Sequence, residues 1–193
     1  MASYCEYLRE HPEDTLNQRY HDNEYGFPLE QDSALLERLA QEINQAGLSW
    51  SLILKRQDNF HRAFEGFDVD KVAAYREEDV ARLLSDAGII RNRLKINAVI
   101  ENALRIQGLR AEYASFKGWL EAHHPLSLEE WVKLFKQTFV FTGREIVNEF
   151  LISTGYLPGA HDHDCPIYWQ IVRLQPPWTR GMRNVTLLPH DYE

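Results

Sequence analysis

An all-α domain is what this sequence predicts. Apolar residues recur at helical spacing through most of the chain, hardly any segment alternates as a half-buried strand would, and short breaks marked by Gly or Asp separate the periodic runs. A length of 193 residues suits one domain, or a domain with an elaborated tail, and allows a sizeable core. With 44% apolar and 26% charged residues and no low-complexity tract, the chain reads as soluble. No apolar run approaches the roughly 18 residues needed to span a bilayer, so no membrane partner is expected. The opening MASYCEYLREHPEDT lacks the basic-then-apolar layout of a secretory signal, which makes a cytoplasmic location the expectation. In a reducing compartment the two cysteines, Cys5 and Cys165, are more readily free thiols or metal ligands than a disulfide. A net charge of −8 argues mildly against a nucleic-acid partner, although local basic clusters count for more than the total.

Taken in chain order, RYHDNEYGFPLEQD reads first as a polar loop ending in Gly26 and Pro28, ahead of the first obvious helix. Asp32 is a plausible N-cap for SALLERLAQEINQAG, where Leu35, Leu36, Leu39, Ala40, Ile43 and Ala46 form one stripe that stops at Gly47, while Gln41 and Asn44 point away from it. LSWSLILKRQDNFHRAF continues in helical style. VDKVAAYREEDVARLLSDAG holds two short helical patterns, the second ending with Gly88 at C′. RNRLKINAVIENALRIQG repeats Ile96, Val99, Ile100, Ala103 and Leu104 and is expected to stop at Gly108. Further helices are expected at about Tyr113 to His123, Ser127 to Phe135 and Gly143 to Thr154, with Ser127 and Glu130 matching a capping box. The count is seven to nine helices in one domain over residues 1–173, and 174–193 is a tail, packed on it or partly disordered.

Three constellations could carry chemistry. In LLSDAGIIRNRLKINAVI a very short connection, with Gly88 free to take positive φ, precedes a helix opening with Arg91, Arg93 and Lys95. Such a turn aims backbone N–H groups outward at a helix N-terminus and can hold a phosphate without a net basic surface; an ordinary αα-hairpin with a solvated basic face fits the spacing as well. Glu42 falls at the border of an apolar stripe, so it is either an exposed flank residue or a carboxylate facing a pocket, which Tyr20, Tyr25 and Trp50 could wall. Cys5, His21, His161 and Cys165 would make a Cys₂His₂ zinc set, with His163 competing for one place. Its members are too far apart for a local finger, so they would staple the two ends of the chain, unless they are unrelated thiols and surface histidines. His11, His61, His123, His124 and His190 read as surface or helix-end residues.

The motifs YHDNEYGFP, QAGLSW, FDVDKVAAYREEDVARLLSDAGIIRNRLKI and a late His-x-x-x-Cys, in this order, resemble the DNA-3-methyladenine glycosylase I family over roughly Cys5 to Cys165. The resemblance implies a helix-hairpin-helix glycosylase fold, action on alkylated double-stranded DNA, one structural zinc per chain, no organic cofactor and a monomer. It also implies that Asp86, Ala87, Gly88, Ile89, Ile90 and Arg91 form the hairpin on the DNA backbone, and that Cys5, His21, His161 and Cys165 bind the zinc. Glu42 would recognise a flipped methylpurine, with Tyr20 and Trp50 on or beside it and Tyr7 and Tyr25 where the family often has tryptophan. No catalytic aspartate is expected. Departures lie in FVFTGREIVNEFLISTG, where Arg144, Glu145, Leu151 and Ile152 replace small or hydroxylic residues and a Phe-Met-Gln run. Other readings are a glycosylase with altered base preference, a DNA-binding relative without catalysis, or a zinc-stapled helical protein with no affinity for DNA.

Overall fold

The computed structural model describes residues 3–181, in which twelve α-helices and two 3₁₀ turns make up the regular structure and no strand occurs. Two helices precede the first one expected, and the second runs into the segment read as a polar loop. Helix α1 (Tyr4–Glu10) starts at Ser3, whose hydroxyl accepts from Glu6 N, and α2 (Thr15–Asn23) starts at Asp14, whose carboxylate accepts from Asn17 N. The residues that α2 buries are Asn17, Tyr20 and His21. A helix that buries a polar and two ring side chains leaves no aliphatic stripe to detect.

The chain continues through α3 (Asp32–Gln45), α4 (Trp50–Leu54), α5 (Gln57–Ala63), a 3₁₀ turn at Glu65–Phe67, α6 (Val69–Ala73), α7 (Glu77–Ser85) and α8 (Arg93–Tyr113). It ends with α9 (Phe116–His123), α10 (Leu128–Thr138), α11 (Arg144–Ser153), α12 (Pro166–Arg173) and a 3₁₀ turn at Pro177–Gly181. This exceeds the expected seven to nine because single periodic runs break at bends: Arg56, with φ −109° and ψ 2°, separates α4 from α5. The capping box at Ser127 and Glu130 is present. Of the expected tail, Trp178 N donates to Gly155 O, and residues 182–193 lie outside the described residues. No described helix is long and apolar enough to cross a membrane.

Helix α3 is the hub, touching α4, α6, α8, α9 and α11. Leu35, Leu36, Leu39 and Ile43 are fully buried, each stabilising by about 1.5–3 kcal/mol. A second layer of rings, Phe116, Trp119, Trp131, Phe135 and Phe150, joins α9, α10 and α11. Because neighbours surround α3, its C-terminal half is buried on every side, so Arg38, Gln41, Glu42 and Asn44 are all interior. Gln41 and Asn44 therefore do not point to solvent as the wheel suggested.

Three local expectations change. Asp32 does not cap its own helix; its carboxylate accepts from Phe116 N at 2.8 Å and from Arg110, fastening the start of α9 to the start of α3. Helix α8 runs through Gly108 and ends at Ala114 in the left-handed region, φ 66°. The cost of about 1 kcal/mol for a helical glycine is outweighed by the burial of Ile106 and the packing of Leu109 around it. Gly88 is not in the positive-φ region either. What it supplies is room, because a Cβ there would meet the Asp86 carboxylate at 2.9 Å and Asn59 at 3.1 Å.

Candidate functional site

Cys5 of α1, His21 of α2, His161 of the loop after α11 and Cys165 at the start of α12 form one buried group whose donor atoms all lie within 4.8 Å of each other. His21 Nε2 stands 3.1 Å from His161 Nδ1 and 3.2 Å from Cys5 Sγ, and Cys165 Sγ stands 3.6 Å from His161 Nδ1. Bond lengths of roughly 2.0–2.1 Å to nitrogen and 2.3 Å to sulfur give tetrahedral edges of about 3.3 Å for N···N and about 3.5 Å for N···S, so the donor set fits one small tetrahedral ion. The outer ring nitrogens are held as metal-binding histidines require: His21 Nδ1 by Asp22 at 2.7 Å, and His161 Nε2 by the Tyr25 carbonyl at 2.8 Å. His163 is outside the group and stacks on Tyr168.

Gly26 makes this closure possible. At φ +84° its bare α-carbon lies where a Cβ would come within 2.6 Å of Ala160, and its N–H donates to Ser153 O. The segment after α2 can thus press against the loop that carries His161.

Next to the metal group, a cavity of about 360 Å³ is lined by Tyr4, Tyr7, Asn17, Tyr20, Tyr25, Glu42, Gln45, Trp50, Ser51 and Glu149. Four expected pocket aromatics, Tyr7, Tyr20, Tyr25 and Trp50, and the expected carboxylate Glu42 are brought together here. Tyr20 meets Trp50 edge-on at 5.0 Å and lies 5.7 Å from Tyr25. The Tyr20 hydroxyl and Trp50 Nε1, which belong to two of the lining side chains, are buried without a hydrogen-bond partner among the described residues. Glu42 is 4% exposed. Burial pushes its pKa up to about 8, with Arg38 opposing and Glu149 adding repulsion. Burial also holds the Tyr20 and Tyr25 phenols far above their ordinary range, so both are neutral donors.

Sequence reasoning missed Tyr4, which adjoins a metal ligand, and Glu149, which lies on a helix whose facing nothing in its spacing reveals. A second cavity of about 430 Å³ includes two charged pairs in its lining, Glu37 with His61 at 2.9 Å and Arg38 with Glu24 at 3.7 Å. Arg144 pairs with Glu129 at 3.0 Å, on an exposed surface.

The α7–α8 connection is built from its carbonyls inward. Gly88 N donates to the Asp86 side chain, Arg56 donates to Ala87 O at 2.6 Å and Asn59 donates to Gly88 O. Ile89 is buried and Ile90 half-buried, anchoring the turn, while Asn92 caps α8 by accepting from Lys95 N. Arg91 is exposed; Arg93 is also exposed but pairs with Glu77 at 2.7 Å. Lys95 departs from expectation. It is 6% exposed, and its ammonium donates to Asn44 O at 2.8 Å and Ala46 O at 2.7 Å, closing the C-terminal end of α3 rather than facing a phosphate. Its place four residues before the buried Val99 already puts it on the inner face of α8.

Comparisons with known proteins show what the chain is similar to. A family model described as methyladenine glycosylase matches residues 10–131. The DNA-3-methyladenine glycosylase 1 of Escherichia coli (strain K12) is 52% identical over 91 residues, 47% of this chain and 49% of that protein, so the match spans about half of its length. A DNA-3-methyladenine glycosylase of Haemophilus influenzae is 30% identical over 168 residues, 76% of this chain and 89% of that protein. Among solved structures, 3-methyladenine DNA glycosylase I from Staphylococcus aureus, studied for its recognition of 3-methyladenine, superposes with a TM-score of 0.72 at 31% identity, over 80% of this chain and 92% of the other.

Proposed function

The chain belongs to the methyladenine glycosylase family, and on that premise we propose that it hydrolyses the N-glycosidic bond of alkylated purines in double-stranded DNA, above all 3-methyladenine. The observation that carries the proposal is the aromatic cavity with a buried carboxylate and two unpartnered donors beside it, Glu42, Tyr20 and Trp50. An extruded base, which costs a few kcal/mol to flip, regains that energy by stacking and by hydrogen bonds to its edge. The Glu42 carboxylate, once ionised, accepts from the exocyclic amino group, and the Tyr20 hydroxyl donates to a ring nitrogen. Methylation at N3 makes the attached adenine cationic. When the N9–C1′ bond breaks, its electron pair returns to the base and quenches that charge; water adds to C1′ and releases a proton. The leaving group therefore needs no protonation by the protein, which suits a site without an acid at the sugar.

In the same reading the α7–α8 connection is the helix-hairpin-helix element that grips the DNA backbone through Asp86 to Arg91. The N–H groups of Gly88 and Ile89 are taken by Asp86, so those of Ile90 and Arg91 are the ones this turn would present to a phosphate. The metal of the Cys₂His₂ group is zinc, one per chain and structural, since four protein ligands complete its coordination and leave no open position. Residues 1–173 form the catalytic domain, which works as a monomer without an organic cofactor. Its thiolate ligands suit the reducing cytoplasm.

The test incubates the protein with methylated duplex DNA and identifies released bases by chromatography. Release of 3-methyladenine, lost or strongly weakened in Glu42→Ala, is the expected result. Release of no base would overturn the glycosylase reading and favour a DNA-binding relative without catalysis.

A further inference from the structure

The cavity that holds Glu42 contains a second carboxylate. Glu149 reaches it from α11, far along the chain from the segments that supply the aromatics. Its Oε2 accepts from the Tyr25 hydroxyl at 3.3 Å, and its Oε1 accepts from Asn148 at 3.1 Å. Among the described residues, no lysine or arginine lines the cavity. The nearest guanidinium with a bearing on Glu42, that of Arg38, stacks over the Tyr20 ring and donates to Ser153 O. Two acids on separate helices, with neutral phenols, an indole and amides around them, make a site biased towards a positive charge.

We propose that Glu149 is a specificity-determining residue of the base pocket, acting with Glu42 as a pair of carboxylates that selects cationic N-alkylated purines over neutral ones. The inference rests on the glycosylase reading above and deepens it. Burial disfavours the ionisation of both carboxyls, and repulsion from the Glu149 charge adds to the effect on Glu42 as that from Glu145 does on Glu149. A flipped cationic base relieves that repulsion, whereas a neutral purine does not.

The charge leaves the base as the glycosidic bond breaks, so attraction to Glu149 belongs to the bound substrate and not to the later stages of cleavage. Removing it weakens binding without slowing the chemical step. Glu149→Gln keeps an acceptor for Tyr25 while deleting the charge. In single-turnover release of 3-methyladenine from methylated duplex, the half-saturating enzyme concentration is expected to rise about 10-fold or more, with the maximal rate unchanged or higher. Glu149→Asp, which keeps the charge, is expected to recover part of the loss, and both variants should bind a duplex containing an abasic site as the parent does. An unchanged half-saturating concentration, a fall in maximal rate alone, or a parallel loss of abasic-site binding would overturn the role of Glu149. A parent protein that releases no base would instead overturn the glycosylase reading itself.

Discussion

Glu42 is the residue in which sequence and surroundings diverge most usefully. Its position at the edge of an apolar stripe marks it as unusual, but only the packing of α4, α8 and α11 about α3 turns it inward. Glu149 carried no comparable mark, because a glutamate on the polar face of a helix looks the same whether that face meets water or a cavity. The raised pKa of Glu42 has a consequence for stability. The folded chain holds at about pH 8 a proton that an ordinary carboxyl releases near 4.5. Between those values the folded state binds more protons than the unfolded one, so this contribution is fully present below about pH 4.5 and is lost as pH rises towards about 8, by up to about 1.4 kcal/mol per pH unit. Glu42→Gln, neutral throughout, lacks that slope. In urea unfolding, its stability relative to the parent is expected to grow by about 2–3 kcal/mol from about pH 5 to about pH 7.5. A difference that stays flat would mean that Glu42 is already ionised in the folded protein.

At the scale of elements, strongly patterned helices were legible: the α3 stripe, the capping box of α10 and the α7–α8 hairpin all stand close to where the sequence puts them. Those that escaped bury polar or aromatic groups, as α2 does, or are short like α1 and α12. The α7–α8 connection shows why a basic residue near a turn need not face outward. Arg91 faces outward, whereas Lys95 closes α3 and so supports the helix that carries Glu42. These roles separate experimentally. Arg91→Ala is expected to lower the slope of log affinity for DNA against log salt by about 0.9, the loss of one phosphate contact, with little change in stability. Lys95→Met strands two carbonyls and is expected to cost about 1.5–3 kcal/mol in unfolding free energy while leaving the salt slope unchanged. If Lys95→Met altered the slope and Arg91→Ala did not, the assignment of the two side chains would be reversed.

For the whole molecule, the sequence singled out all four members of the buried Cys₂His₂ group although they lie far apart along the chain, because the combination of two thiols and two imidazoles is chemically restrictive. What it could not convey is how closely that staple is tied to the pocket. Tyr4 precedes Cys5, Tyr20 precedes His21, and the Tyr25 carbonyl takes the His161 N–H, so three aromatic walls hang on the metal group through neighbouring backbone. His21 and His161 are 140 residues apart, and closing a loop of that size restricts the unfolded chain by an amount on the order of 5 kcal/mol in the chain-entropy description of a cross-link. The large apolar core lies elsewhere, around α3 and the α9–α11 rings, and does not need the staple to exclude water. Losing the metal is therefore expected to act unevenly. Purified protein should carry about one zinc per chain; chelation, or Cys165→Ser, should remove it, lower the unfolding midpoint and abolish calorimetrically detected binding of 3-methyladenine, while most of the far-UV helical signal persists at low temperature. Full stability and undiminished base binding in metal-free protein would show that the two ends of the chain hold the pocket without the ion.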